Sequence, residues 1–235
     1  MSDRSSGASV AFRRKSMLLE RGRKVVTRSP HRRVGYISCP WLQEEQVEYE
    51  SLLELNFARI ALLCPGLVSI RSQPFVIELP GGAKYTPDFR LDFASKLAVI
   101  VEVKPSKFVR QHQENLDTAA ELLRSHGFTY LIATEEQINK DGRDARASVY
   151  IRYARSHYTD DVVRDALVKL QEPVTPGSID KLAQCVGCPR ELVLHLIGIR
   201  RLTVGPSLLP DQISFPSDLK ELRNGEFCPA SWLNN

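Results

Sequence analysis

Lys84-Tyr-Thr-Pro-Asp88-Phe-Arg-Leu-Asp92-Phe-Ala-Ser-Lys96-Leu-Ala-Val-Ile100-Val-Glu102-Val-Lys104 is the stretch whose reading decides the fold. It reads as a β-hairpin: two runs rich in Val, Ile and Phe join through the tight turn Ala94-Ser95-Lys96. A turn centred on Ser95 sets Asp88 opposite Glu102. Strand side chains alternate between faces. The odd positions Phe89, Leu91, Phe93, Leu97, Val99, Val101 and Val103 are all apolar and must face a core. The even positions are Asp88, Arg90, Asp92, Ala98, Ile100, Glu102 and Lys104. A slip of one residue would spoil register and polarity together. Ile100 and Ala98 among these charges imply that another element covers part of the even face.

Working outward, residues 41–64 carry apolar side chains at helical spacing and end at Pro65-Gly66, which predicts a helix. Short strands are expected over 67–73 and 75–79, with a turn at Pro80-Gly81-Gly82. An amphipathic helix over 111–124 and a buried strand over 128–133 follow. The order helix, several strands, helix, strand is that of an α/β sandwich. Helices are expected over 143–157 and 160–170, then a linker at 173–177. Two short helices, 178–187 and 189–199, and two short strands, 201–205 and 212–215, suggest a small winged-helix-like domain.

The chain of 235 residues is 43% hydrophobic and 26% charged, as in an ordinary globular protein. The start of the sequence lacks the apolar core of a signal peptide. The apolar run Leu97 to Val101 is far too short to cross a bilayer. Both features point to the cytoplasm and to no membrane partner. Five scattered cysteines do not form a secreted disulfide framework. The net charge of +4 is unevenly placed: residues 1–40 hold ten Lys/Arg against Asp3 and Glu20. They lack periodicity and read as a basic arm. Such an arm fits contact with a phosphate backbone, and equally fits a solubilising tail. The domain reading is therefore 1–40 arm, 41–172 α/β domain, and 173–235 winged-helix-like domain with a tail.

Asp88, Glu102 and Lys104 gather at one end of the hairpin. Opposed carboxylates repel unless a cation sits between them. Two oxygen ligands with open positions suit magnesium or manganese. Lys104, on the same face, can steady an attacking water or the charge developing on a phosphate. A solvated sheet face with a Glu–Lys pair would show the same residues. Cys185-Val-Gly-Cys188 has zinc-ligand spacing but lacks a convincing second pair, so packed thiols are expected there. His195, set among Leu192, Val193, Leu194, Leu196 and Ile197, is expected in a core.

Tyr85-Thr-Pro-Asp88-Phe and Ile100-Val-Glu102-Val-Lys104-Pro105 resemble the PD-(D/E)xK nuclease signature. Two upstream segments, Glu50-Ser-Leu-Leu-Glu54-Leu-Asn-Phe57 and Val68-Ser-Ile-Arg-Ser-Gln73-Pro74-Phe75, narrow the resemblance to the TnsA family, the endonuclease subunits of heteromeric transposases. The likeness is strong over about residues 48–105 and extends to about 134. It implies a restriction-endonuclease-like mixed-sheet core flanked by helices. It also implies Asp88 and Glu102 binding Mg2+ (or Mn2+), Lys104 orienting water, and Glu54 completing the carboxylate set; Glu50 and Glu48 compete for that last place. Gln73 reads as a water or phosphate contact, or as a structural hydrogen bond at a strand end.

The resemblance implies cleavage of the 5′ ends of a transposon beside a TnsB-like DDE transposase. A TnsC-like ATPase regulator would be a further partner, docking on the C-terminal domain. Lys24, Arg28, Arg32 and Arg33 of the arm would contact DNA at the transposon ends. A stand-alone restriction or repair endonuclease on the same fold is the alternative. A third reading is an assembly subunit whose nuclease site is vestigial. Within the C-terminal domain the helix over 189–199 would enter a major groove or dock a protein. The segment carrying Phe227 and Trp232 would bind a partner or strap its own domain.

Overall fold

A computed structural model describes residues 19–21, 34–170, 178–211, 213–214 and 227–234. Its elements begin with β1 (Leu19–Arg21), β2 (Gly35–Ile37), β3 (Val47–Tyr49) and α1 (Leu52–Ala61). The sheet-forming centre follows as β4 (Leu67–Ser72), β5 (Phe75–Glu78), β6 (Lys84–Tyr85), β7 (Phe89–Phe93) and β8 (Ala98–Val103). Next come α2 (Ser106–Val109), a 3-10 turn, α3 (Gln113–Ser125), β9 (Thr129–Ala133) and α4 (Glu135–Ile138). The remainder comprises α5 (Arg143–Ala154), α6 (Asp160–Leu170), α7 (Ile179–Val186), α8 (Arg190–Gly198), β10 (Thr203–Val204), β11 (Ile213–Ser214) and α9 (Pro229–Leu233). No helix among the described residues is long and apolar enough to cross a membrane.

The architecture is mixed α/β around a four-stranded mixed sheet in the order β4-β7-β8-β9. The first three strands are antiparallel, and β9 joins β8 in parallel. The hairpin register is the expected one: Phe89 pairs with Val101, Arg90 with Ile100, Leu91 with Val99 and Asp92 with Ala98. The odd face is core. Phe89, Leu91, Val99 and Val101 are fully buried against helices behind the sheet, with the Phe57 ring of α1 stacked 5.6 Å from that of Phe89. The even face is covered too. Ile100 packs with Phe75, Ile77 and Leu79 from β5 and its turn, and with Ala119 and Leu123 of α3. Glu102, on that covered face, is only 6% exposed.

Three expectations are corrected. The helix predicted over 41–64 is confined to Leu52–Ala61, because Ser51 is extended and caps it, accepting from the Glu54 N–H at 3.1 Å. Upstream, Val47 to Tyr49 is instead a strand paired with Gly35 to Ile37. The region expected to be an arm without regular structure therefore contains β2, and also β1, which pairs with β5. The single strand predicted over 84–93 is two: Tyr85 pairs with Ile77 in a separate sheet, and the main-sheet strand restarts at Phe89. Pro87, between them, has no N–H for either ladder.

At the C-terminal end Ser178 caps α7, and Gly187, at φ +65°, turns the chain into α8. The ribbon β10–β11 follows. Residues Leu192 to Gly198 of α8 are all buried, and only Arg190 and Glu191 at its start are exposed. The helix therefore presents no free face to a groove. The apolar core is continuous from Ile37 through α8 to Leu233. His195 lies inside it, its Nδ1 3.0 Å from the Tyr153 carbonyl. Cys185 is exposed and Cys188 half-buried, so the expected packing holds in part for one thiol and not for the other. The segment Pro229–Leu233 packs on this chain itself, though against α5 of the 41–172 domain: Trp232 and Leu233 are buried, and Arg143 donates to both of their carbonyls. The linker at 173–177 lies outside the described residues.

Candidate active site

Asp88 stands between Pro87 and the first residue of β7. Its carbonyl accepts the Gln73 N–H at 2.7 Å, and its Oδ2 accepts the Val103 N–H, also at 2.7 Å. The side chain thus takes a place in the backbone ladder, which holds the carboxylate against the end of β8. The register carried one step past Phe89 and Val101 brings Asp88 opposite Glu102. Burial, then the Glu102 charge, then that of Glu54, raise the Asp88 carboxyl well above its ordinary range. Its other oxygen has no hydrogen-bond partner among the described residues.

Glu102 is held by both oxygens. Oε1 is 2.8 Å from the Lys104 ammonium, and Oε2 accepts the Tyr85 hydroxyl at 2.7 Å. The Tyr85 oxygen is in turn 2.8 Å from that of Tyr130 on β9. Burial, then the Glu102 charge, push the Tyr85 phenol far above its usual value. These two tyrosines are site residues that the sequence reading missed. A signal was there: Tyr85 sits three residues before Asp88, and the parallel register places Tyr130 opposite Ile100, on the even face.

Glu54 occupies the first turn of α1 and works locally as a cap. Its Oε1 accepts from the Ser51 hydroxyl at 2.8 Å and its Oε2 from the Glu50 N–H at 2.7 Å. Burial raises its pKa first, and the charges of Glu50 and Glu102 raise it further. Of the competing acids, Glu54 is the one whose charge is felt at Asp88 alongside that of Glu102. Glu50 precedes the helix cap and Glu48 lies on β3. Gln73, at φ +40°, joins β4 to β5, and its backbone N–H makes the hydrogen bond at the strand end. Lys24, Arg28, Arg32 and Arg33 lie outside the described residues.

Among the described residues no three His, Cys, Asp or Glu side chains are grouped tightly enough to hold a metal ion by themselves. Magnesium does not need such a cage. It keeps several waters and takes one or two carboxylates together with substrate phosphate oxygens. Asp88 and Glu102 fit that demand. Both are sheltered carboxylates, one with a free oxygen, in a field that Glu54 makes more negative and in which Lys104 supplies the contacting cation. A divalent ion would relieve that repulsion.

The surface following Lys104 has the opposite sign. Ser106, through N–H and hydroxyl, donates to the two oxygens of Glu135 at 2.7 Å each, pinning α2. Beyond it Lys107, Phe108, Arg110 and His112 are exposed, Phe108 by 40%, and no acid occurs before Glu114. The Lys107 ammonium lies 4.8 Å from the centre of the Phe108 ring. The chain matches no protein-family model and no curated protein.

Proposed function

We propose that the chain is a metal-dependent DNA endonuclease of the TnsA type, with a restriction-endonuclease-like core and a winged-helix-like C-terminal module. It would act in the cytoplasm with a TnsB-like DDE transposase and a TnsC-like ATPase, hydrolysing the non-transferred strand at the 5′ ends of a transposon. One observation carries the reading: Asp88, at the mouth of β7, accepts the Val103 N–H at 2.7 Å beside Glu102 on β8, and the Lys104 ammonium lies 2.8 Å from Glu102.

When bound, Mg2+ or Mn2+ supplies a Lewis acid that makes water more acidic and neutralises phosphate charge. Asp88, fixed by the Val103 N–H, and Glu102, fixed by Tyr85, hold the ligand oxygens in place. Lys104 orients the attacking water and balances charge on the phosphate oxygens. Water adds to phosphorus in line with the leaving 3′ oxygen, the P–O3′ bond breaks, and that oxygen takes a proton. The exposed Lys107, Arg110 and Phe108 suit a DNA strand entering beside Lys104.

Reconstituted excision with strand-resolved products tests the reading. The wild type should cut the 5′ strands. Asp88→Ala and Lys104→Ala should lose that cut while 3′ cutting by the transposase persists. Normal 5′ cutting by either variant would overturn the assignment. Specific cleavage by the isolated protein with Mg2+ alone would instead favour the stand-alone nuclease.

A further inference from the structure

The Tyr85 hydroxyl that bonds Glu102 is itself bonded to that of Tyr130, and neither phenol takes a chemical step in the hydrolysis derived above. Both phenols are half-buried, and they come from different sheets: Tyr85 from β6, which pairs with β5, and Tyr130 from the outer strand β9 of the main sheet. They meet beside Glu102. A carboxylate can only accept, so the Tyr85 hydroxyl must donate to Glu102 Oε2. That uses its one proton, so the Tyr85 oxygen accepts from the Tyr130 hydroxyl. The direction of the chain is therefore Tyr130 to Tyr85 to Glu102.

We propose that Tyr85 and Tyr130 are positioning residues for the metal-binding carboxylate of Glu102. The inference rests on the nuclease reading. Glu102 is a long side chain with a free terminal torsion, and its two oxygens are chemically equal until something distinguishes them. Here Tyr85 claims Oε2, and Oε1 faces the ammonium of Lys104. Asp88 and Glu102 would hold a cation with Oε1 released by Lys104, and Tyr85 would keep the carboxylate plane fixed. Tyr130 holds the Tyr85 hydroxyl in that direction. Outer partners of this kind orient a ligand without touching the metal, and their loss weakens metal binding about 10–100-fold.

Tyr85→Phe removes one oxygen and preserves the ring. Mn2+ titration of the DNA-free protein by calorimetry should give a Kd raised about 10–100-fold over wild type. Tyr130→Phe, which leaves the Tyr85–Glu102 bond in place, should raise it by less. The Mg2+ concentration for half-maximal nicking should shift in parallel, with the rate at saturating Mg2+ largely restored. Should Tyr85→Phe fail to fold, Tyr130→Phe alone decides, and an unchanged Kd there overturns the proposal. Wild-type Mn2+ affinity in a folded Tyr85→Phe overturns it while leaving the nuclease reading intact. No Mn2+ binding by the wild type overturns both.

Discussion

Asp88→Asn should make the metal-free protein more stable and abolish its response to metal. Opposed residues on neighbouring antiparallel strands have Cβ atoms about 4.5–5.5 Å apart. Two carboxylates at about 5 Å, with an effective dielectric constant of about 20, repel by about 3 kcal/mol. An amide keeps an oxygen for the Val103 N–H but loses the charge-assisted part of that bond, about 1 kcal/mol. The net gain is about 2 kcal/mol, or a rise of about 4–8 °C in Tm for a chain of this size.

The sign with pH follows from the raised pKa of Asp88 in the folded state. Folded protein holds that proton to higher pH than unfolded chain. The wild-type penalty is therefore absent below the ordinary carboxylate range and grows as pH rises through the unfolded value. It levels off above the folded value. Thermal unfolding in EDTA at about pH 8 should show the variant ahead, and at about pH 3 the advantage should vanish. Mn2+ at about 100 times Kd adds about 2.7 kcal/mol to the wild type and nothing to the variant, so the order reverses. A variant no more stable than wild type in EDTA, or one that gains equally from Mn2+, would refute the reasoning.

Lys107→Glu with Arg110→Glu should weaken DNA binding in Ca2+ and flatten the log–log salt dependence by about two, one per lost phosphate contact; fluorescence anisotropy at several salt concentrations checks this, and an unchanged slope removes this surface from the DNA path. Gly198→Ala should destabilise by about 2–3 kcal/mol in urea unfolding, because the new Cβ would stand 2.7 Å from Ala154 Cβ and hard against the Tyr150 carbonyl where α8 crosses α5. Arg143→Met should release α9, which Arg143 holds by hydrogen bonds of 2.9 and 3.0 Å to the Trp232 and Leu233 carbonyls. Red-shifted tryptophan emission and early proteolysis after residue 226 are the expected signs, and an unchanged digest would count against the clamp.

The hairpin was legible because its alternation is complete: seven apolar odd positions admit one register, and that register carries Asp88 and Glu102 to each other. The helix expected over 178–187 was legible too, and the structure shows Ser178 capping its start and Gly187 ending it. The strands β2 and β3 were not, since three residues carry too little period to stand out beside the apolar spacing of 41–64. Tyr85 sat inside the recognised motif, but its partner lies 45 residues on, and only the parallel pairing of β8 with β9 brings Tyr130 near. Arg143, at the start of a helix, reads as a solvated charge. It is 1% exposed because the carbonyls it serves come from about 90 residues later in the chain. Local pattern revealed the carboxylates and the lysine; long-range pairing supplies what holds them.

The central claim is that Asp88 and Glu102 share a divalent cation. Anomalous scattering from crystals soaked in Mn2+ tests it most directly. One strong peak is expected within about 2.0–2.4 Å of an Asp88 oxygen and a Glu102 oxygen, with Tyr85 still bonded to the other oxygen of Glu102. Ordered Asp88 and Glu102 side chains at saturating Mn2+ with no peak between them would contradict it.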